Sequence, residues 1–411
     1  MDYKVSFRQH KLEGKIRVPA SKSLSNRLLI IQALSNNSFE VNDLSDSDDT
    51  QLLKKALASN EPVVDIHHAG TAMRFLTAYY AATGKNITLT GSERMRNRPI
   101  GKLVDSLRLM GANITCPEKE GYPPLQIAGN QVQGGRVTID PSVSSQFVSA
   151  LLMVAPILPK GLSLELSDKV ISSSYIAMTE AIMAQYGVIV KHETGVIHVE
   201  PQQYTGKNTS VEGDWSGVSY WYQMAAFTPE VDLIIEGLYL NSLQGDARVA
   251  ELFSHLGVKT EFITNGIHLT KEGSLPNRFD FNFIENPDLV QTFAVTLVMM
   301  GIPFRFEGCQ TLKIKETDRI VALQNELFKY GAQLDYDNKG ILSWNGNRRE
   351  SCHECVSIPT YQDHRMAMAF APIGMCGDSV IIQNPEVVGK SYPAYWEHLK
   401  SVGFEIEEIN G

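Results

Sequence analysis

The sequence predicts an α/β protein of two similar globules, each assembled from three copies of one repeated unit. Three observations carry this. A half-unit made of a polar helix start, a run of small and apolar residues and a short β-rich strand occurs six times. A second half-unit, a helix closing on Gly before another strand, alternates with it. The last unit ends without its closing strands, and two strand-like segments at the N-terminus, 3–8 and 15–18, are available to complete it. The expected domains are 19–213, and 1–18 together with 214–411, with the chain crossing between them twice at a hinged active-site cleft.

In chain order, the first half-unit spans 22–44, where the strand-like Lys15-Ile16-Arg17-Val18 and Pro19 lead into the apolar run of Leu28, Leu29, Ile30, Ile31, Ala33 and Leu34. It recurs over 70–91, 144–166, 214–237, 288–308 and 364–384. The second half-unit covers 103–110, 177–186, 249–256, 320–330 and 395–402, each followed by Gly, the residue a helix C-cap in the left-handed region favours. A shorter copy at 50–58 lacks that Gly. Further strands begin at Arg136, Val196, Gly266, Arg278, Ile341 and Cys355.

Composition bounds the function. At 411 residues with 43% hydrophobic and 20% charged content, the chain has material for large cores and no signature of disorder. No apolar run approaches ~18 residues and the N-terminus has no signal-peptide core, so a cytoplasmic protein is expected. Five scattered cysteines argue against a disulfide framework; Cys352-His-Glu-Cys355 has no second pair to complete a zinc site and reads as a loop with free thiols. A net charge of −9 disfavours nucleic-acid binding, so any gathered cations stand against an acidic background.

The chemistry-bearing residues collect at helix starts. Lys22 and Arg27, one turn apart among Ser21, Ser23 and Ser25, add cations to the free N–H groups and positive dipole end of a helix, an arrangement that takes phosphate or carboxylate. The plain alternative is a Ser cap with solvated Lys and Arg. Repetition favours the anion reading: Gly70, Thr71 and Arg74; Arg98; Ser144, Ser145 and Gln146; Ser172 and Tyr175; Asp214; Asp288; Lys315, Glu316, Asp318 and Arg319; His364 and Arg365; and Lys390 occupy comparable places. The substrates implied are small, polyanionic and phosphorylated. Within Ile314-Lys-Glu-Thr-Asp-Arg319, Thr317 or Asp318 could cap a helix with its charges in water, or Lys315 and Arg319 could hold an anion while Glu316 handles protons. Asp288 and Ser144-Ser145 could likewise be caps, and His364 a core histidine.

Pro19-Ala-Ser-Lys-Ser-Leu-Ser-Asn-Arg27, Ala69-Gly-Thr-Ala-Met-Arg74, Asn97-Arg-Pro-Ile-Gly101, Val143-Ser-Ser-Gln146, Lys315-Glu-Thr-Asp-Arg319 and Asp363-His-Arg-Met-Ala-Met368 together resemble the 5-enolpyruvylshikimate-3-phosphate synthase family, in order and over nearly the whole chain. The resemblance implies a two-domain inside-out α/β barrel of six βαβαββ units, three per domain. It also implies a reaction needing no metal or cofactor, in which phosphoenolpyruvate and shikimate 3-phosphate give the enolpyruvyl ether and phosphate through a tetrahedral intermediate. Carried over residue by residue, Lys22, Ser23, Arg27, Ser144, Ser145, Gln146, Ser172, Tyr175, Asp288 and Lys315 would hold shikimate 3-phosphate. Lys22, Gly70, Arg98, Gln146, Arg319, Arg365 and Lys390 would hold phosphoenolpyruvate. Asp288 is the expected base on the hydroxyl; Glu316, Lys22 and His364 remain candidates for the methylene proton and the leaving group. A monomer with these two small-molecule substrates is expected.

Ala20, His68, Phe75 and Thr311 depart from the family's usual residues without removing a charge from the expected site. The sister family that acts on UDP-N-acetylglucosamine shares the repeat fold but uses a cysteine on a flexible loop, whereas Cys116 here closes a strand. A binder of phosphorylated metabolites without catalysis would have lost proton-handling groups, and Lys22, Asp288, Glu316 and His364 are all present.

Overall fold

In the structure, a computed structural model, residues 1–130, 132–140, 144–166, 173–349, 355–377 and 379–409 are described. The chain divides into two compact units, one of Met1–Pro19 with Glu212–Gly411 and the other of Ala20–Val211.

The unit containing the chain's beginning has three four-stranded sheets of one pattern. In each, two parallel strands are followed by a pair of antiparallel ones, so the strand that comes fourth in the unit lies beside the second. The first sheet is Lys11–Arg17, Glu230–Glu236, Gly266–Lys271 and Val258–Ile263. The second is Phe279–Asn282, Phe304–Glu307, Leu342–Trp344 and Asp335–Tyr336. The third is Val356–Ile358, Val380–Gln383, Asp2–Ser6 and Glu405–Ile409. Here the N-terminal strand fills the place the last repeat lacks, pairing with Val380–Gln383 on one side and Glu405–Ile409 on the other. Only one N-terminal strand does this. The expectation that both close the last unit is corrected: Lys11–Arg17 pairs in parallel with Glu230–Glu236 instead, because seven residues in register there leave no partnership for the last sheet.

Ala20–Val211 repeats the pattern twice, in Val63–Asp65, Ile87–Thr90, Leu125–Ala128 and Asn113–Thr115, and in Gly135–Ile139, Leu162–Leu166, Val196–Val199 and Lys191–Glu193. Its remaining sheet is abbreviated to the parallel pair Thr209–Ser210 and Val41–Asn42. The helix Asp48–Ala58, the copy without a closing Gly, ends at an extended Ser59 and runs on to Val63–Asp65 with no hairpin between. Where the Gly is present it has the backbone only Gly adopts freely: φ is +100° at Gly111, +84° at Gly187 and +79° at Gly331.

Alternation of the strands buries one face: in Glu230–Glu236, Val231, Leu233 and Ile235 are buried between exposed or half-exposed neighbours. The helices that open each first half-unit are instead apolar nearly all round, and they form the cores. Trp215–Phe227, Val290–Met300 and His364–Phe370 are almost wholly buried and join through Ser219 Oγ and Thr292 Oγ1 at 3.0 Å and Gln223 Nε2 donating to Ala369 O at 2.9 Å. In the other unit Lys22–Leu34, Gly70–Thr83 and Ser145–Val154 play the same part. With each large buried side chain contributing about 1.5–3 kcal/mol, these helices have no freedom to turn, and the residues at their first turns are fixed with them.

Candidate active site

In Ala20–Val211, Ser21 caps the first core helix by accepting from Leu24 N–H, and Lys22 follows at its first position. The Lys22 ammonium lies 3.3 Å from the Asp49 carboxylate, with both side chains largely buried. Arg27, one turn on, is buried against its own unit. Its guanidinium donates to Thr179 Oγ1 at 2.7 Å, Ser23 O at 3.0 Å, Ser149 Oγ at 3.2 Å and Tyr175 O at 3.2 Å. The rings of Phe75 and Tyr175 lie 5.4 and 5.9 Å from it, so the departure at Phe75 supplies one of its two aromatic faces. Burial lowers its pKa to about 10. Four protein acceptors thus take most of the five N–H groups of a residue the sequence suggests for substrate alone. Ser23, at the next position of that helix, lends Arg27 its carbonyl.

Gly70 opens the second core helix, and a Cβ there would collide with the Arg98 guanidinium, so only Gly lets that arginine cross the helix start. Arg74, on the same helix, is 3% exposed and donates to Gly70 O, Met95 Sδ and Pro99 O, none of them a carboxylate. Burial and then the positive charge of Arg98 hold its pKa well below the usual arginine range. Two arginines at one helix start, repelling each other, form a place where an anion lowers the energy. Ser144 caps the third core helix by accepting from Gln146 N–H, Ser145 is its first residue, and Gln146 Nε2 donates to Thr71 Oγ1 at 3.1 Å, tying that helix start to Gly70's. Tyr175 stands in the helix Ser173–Gln185. Ser172 and Cys352 lie outside the described residues.

In the other unit the expected groups meet in one ion-pair network. Asp288 sits in the 3-10 turn Pro287–Leu289 that leads into the second core helix, and its carboxylate makes no cap there. It accepts from Arg319 Nη1 at 3.1 Å and Arg365 Nη2 at 2.9 Å, with Lys315 Nζ at 3.6 Å. Asp318 is the N-cap of the helix Arg319–Phe328, accepting from Ile320 and Val321 N–H. Its neighbour Arg319 does not face water. At 2% exposure it donates Nε to Asp363 Oδ2 at 2.7 Å and Nη2 to Asp363 Oδ1 at 3.3 Å. Burial works against its charge, yet Asp363 and Asp288 outweigh it and raise the Arg319 pKa.

Asp363 also caps the helix His364–Phe370 through Arg365 N–H at 2.9 Å, which orients His364 and Arg365 together. His364 Nδ1 is 3.1 Å from Glu316 Oε2, and Lys390 Nζ is 3.7 Å from the same oxygen. Burial raises the proton affinity of Glu316, but His364, Lys390 and Arg319 overcome it and hold the carboxyl well below the usual carboxylate range. Lys390 ends the 3-10 turn Pro385–Lys390 rather than starting a helix, and it donates to Gln362 O at 2.6 Å.

Glu316, Asp363 and His364 bring one donor atom each within 4.8 Å, a set that could in principle ligate a metal. Lys390 and Arg319 already face its two carboxylates, so the local charge is balanced without a dication. What the arrangement can do is hold an anion with Arg319, Arg365, Lys315 and Lys390 beside two carboxylates able to move protons. Asp49, Asp363 and the buried Asp246, which lies beside Asp288, were not among the residues the sequence singles out. For Asp363 a signal existed, since it directly precedes His364 in the run Asp363-His-Arg-Met-Ala-Met368.

A family description, EPSP synthase (3-phosphoshikimate 1-carboxyvinyltransferase), matches over residues 8–61 and 52–399. A 3-phosphoshikimate 1-carboxyvinyltransferase of Bacteroides fragilis is 48% identical over 398 residues, 97% of each chain. One of Sulfurovum sp. is 35% identical over 420 residues, covering 95% of this chain and 97% of that one. Among solved structures, an EPSP synthase from Acinetobacter baumannii superposes with a TM-score of 0.77 at 21% identity, covering 99% of this chain and 100% of that one. The structural likeness carries the fold, the two-domain α/β architecture of repeated units.

Proposed function

The chain belongs to the EPSP synthase family, and on that footing we propose which of its residues perform the family's reaction. It transfers the enolpyruvyl group of phosphoenolpyruvate to the 5-hydroxyl of shikimate 3-phosphate and releases phosphate, a step of the shikimate pathway toward chorismate and the aromatic amino acids. The observation that carries the assignment of residues is the meeting of Asp288 with Lys315, Arg319 and Arg365 beside the Glu316–His364 pair.

Asp288 takes the proton from the 5-hydroxyl as its oxygen bonds to the enol carbon and the methylene carbon accepts a proton, giving a tetrahedral ketal phosphate. The carbon–oxygen bond to phosphate then breaks while the new methyl group gives up a proton, which restores the methylene. Three cations on Asp288 make it a poor base until they are drawn off. The carboxylate and phosphate of phosphoenolpyruvate compete for Arg319 and Arg365 and free Asp288 for the hydroxyl as the substrate arrives. Glu316, ionised in the free enzyme, suits removal of the methyl proton. Its use as the acid of the first step needs the bound anions to offset Lys390 and Arg319, and Lys22 and His364 share that candidacy.

Gly70, Arg98 and Gln146 join Lys22, Arg319, Arg365 and Lys390 on phosphoenolpyruvate. Ser23, Arg27, Ser144, Ser145, Ser172, Tyr175 and Lys315 join Lys22, Gln146 and Asp288 on shikimate 3-phosphate. These cations supply the positive charge a metal would otherwise bring, so the reaction is assigned no metal and no cofactor. A cytoplasmic monomer is proposed; no helix among the described residues is long and apolar enough to cross a membrane.

The test is phosphate release by the purified protein from phosphoenolpyruvate, with either shikimate 3-phosphate or UDP-N-acetylglucosamine added. Release with the first alone, together with a loss of turnover by about 10²-fold or more in Asp288→Ala and Glu316→Ala, is the expected result. Full turnover in both variants would remove these residues from the mechanism, and release with the nucleotide sugar alone would overturn the substrate.

A further inference from the structure

Asp246 is a buried carboxylate that the proposed reaction does not use. It lies in the 3-10 turn Gly245–Arg248 and is 4% exposed. Its Oδ2 accepts from Ser216 Oγ, and its Oδ1 accepts from Asn286 Nδ2 at 3.3 Å. Ser216 belongs to the first turn of the core helix Trp215–Phe227. Asn286 is the residue that starts the turn carrying Asp288. Among the described residues Asp246 makes no ion pair, whereas Asp288 has three cations on it. A lone ionised carboxylate is among the costlier groups to bury. If two hydrogen bonds were all that was required, a neutral amide would serve with far less desolvation. The charge itself therefore calls for an explanation.

The charged groups that bear on Asp246 are few. Asp288 repels it and Arg365, from the helix His364–Phe370, attracts it. On its own turn Arg248 points to Glu251 at 3.0 Å, and Asp214, two residues before Ser216, accepts from the N–H groups of Ser216 and Gly217 at 2.9 and 3.1 Å. We propose that Asp246 is a positioning residue for the reaction: through Asn286 it fixes the turn that holds Asp288, and by its negative charge it keeps Asp288 able to take a proton despite Lys315, Arg319 and Arg365. This rests on the reading of Asp288 as the base on the hydroxyl.

The arrangement makes the base responsive to pH. Burial, and then the charge of Asp288, raise the Asp246 pKa to about 6, while the Ser216 hydroxyl lowers it. Above that value Asp246 is ionised and Asp288 is the stronger base. Below it Asp246 carries a proton, its repulsion of the second carboxylate is gone, and the three cations hold Asp288 as a weaker base.

Two substitutions separate this charge effect from simple loosening. Asp246→Asn removes the charge and leaves polar atoms for Ser216 and Asn286. Ser216→Ala keeps the charge and deletes the bond that favours the ionised form. The measurement is kcat/KM from about pH 5 to about pH 9, which reports the groups of the free enzyme, with kcat and both KM values resolved at neutral pH, for the full-length wild type and both variants. In Asp246→Asn, kcat at neutral pH should fall about threefold to tenfold with both KM values held within about twofold, and the acid limb of kcat/KM should move to lower pH. In Ser216→Ala the limb should move the other way, toward neutral pH. Loosening of the loop alone would send both variants in one direction, and that result, or an acid limb in Asp246→Asn that matches the wild type, overturns the proposal. Should Asp246→Asn fail to fold, Ser216→Ala decides alone: an unmoved limb refutes the role of Asp246. A wild-type enzyme silent with these substrates would instead overturn the functional reading on which the proposal stands.

Discussion

Asp363→Ala should be among the most damaging single substitutions in this enzyme, although Asp363 is fully buried and is assigned no contact with substrate. Its carboxylate does two jobs at once: it grips the Arg319 guanidinium through two hydrogen bonds, at 2.7 and 3.3 Å, and it caps the helix His364–Phe370 at Arg365 N–H. Breaking a buried pair by removing one partner leaves an uncompensated charge and costs about 3–5 kcal/mol. Loss of an N-cap adds about 1 kcal/mol. Asp288 remains on Arg319 Nη1, which pulls the sum toward its lower end, so about 3–5 kcal/mol in all is expected. Asp363→Asn keeps an acceptor for the cap and for one guanidinium bond and should cost less. The assay is urea unfolding followed by tryptophan fluorescence. All four tryptophans, Trp215, Trp221, Trp344 and Trp396, belong to the unit that contains Asp363, so the signal reports that unit without assuming that the whole chain unfolds in one step. The exposed pair of Arg278 and Asp280 supplies the control, and Asp280→Ala should leave the midpoint in place. A loss below about 1 kcal/mol in Asp363→Ala would refute the argument that this carboxylate neutralises Arg319.

Two further substitutions address the other unit. Gly70→Ala places a methyl group against the Arg98 guanidinium and should raise KM for phosphoenolpyruvate about tenfold or more while kcat changes less; steady-state kinetics with an unchanged KM would deny Arg98 that role. Lys22→Met leaves the Asp49 carboxylate without the ammonium now 3.3 Å away and should weaken both substrates in calorimetric titration by about tenfold or more. Normal binding of both would take Lys22 out of the site.

Much of the fold was legible because its signals are local and repeat. The Gly that ends a helix needs a positive φ, so Gly111, Gly187 and Gly331 mark their turns by residue type alone. The missing closing strand of the last repeat was legible as a deficit. Which N-terminal segment filled it was not, because Asp2–Ser6 and Lys11–Arg17 are both plausible strands and only their partners, nearly the length of the chain away in one case, decide between them.

The site was legible where a charged residue sits at the start of an apolar helix and obscure where a charge is spent on another protein group. Arg27 shows the limit from one side. Its position one turn after Lys22 suggests an anion, yet Thr179, Ser149 and the carbonyls of Ser23 and Tyr175 satisfy most of its donors, and all of these except Ser23, one turn earlier on the same helix, come from segments that no local pattern brings near it. Arg319 shows it from the other side, since the first turn of an amphipathic helix reads as solvent-facing unless a buried partner such as Asp363 lies against it. The carboxylates the sequence left unmarked, Asp49, Asp246 and Asp363, share one property: each is buried and faces a cation or a second carboxylate of the protein. Periodicity reports which residues are apolar and motifs report which recur, but the proton affinity of a buried carboxylate depends on what stands opposite it. That dependence is why the cations around Asp288 and the negative charge beside it have to be weighed together: the same three cations that would hold an anionic substrate would also suppress the proposed base, and the proposed role of Asp246 would answer that conflict within the unit that creates it.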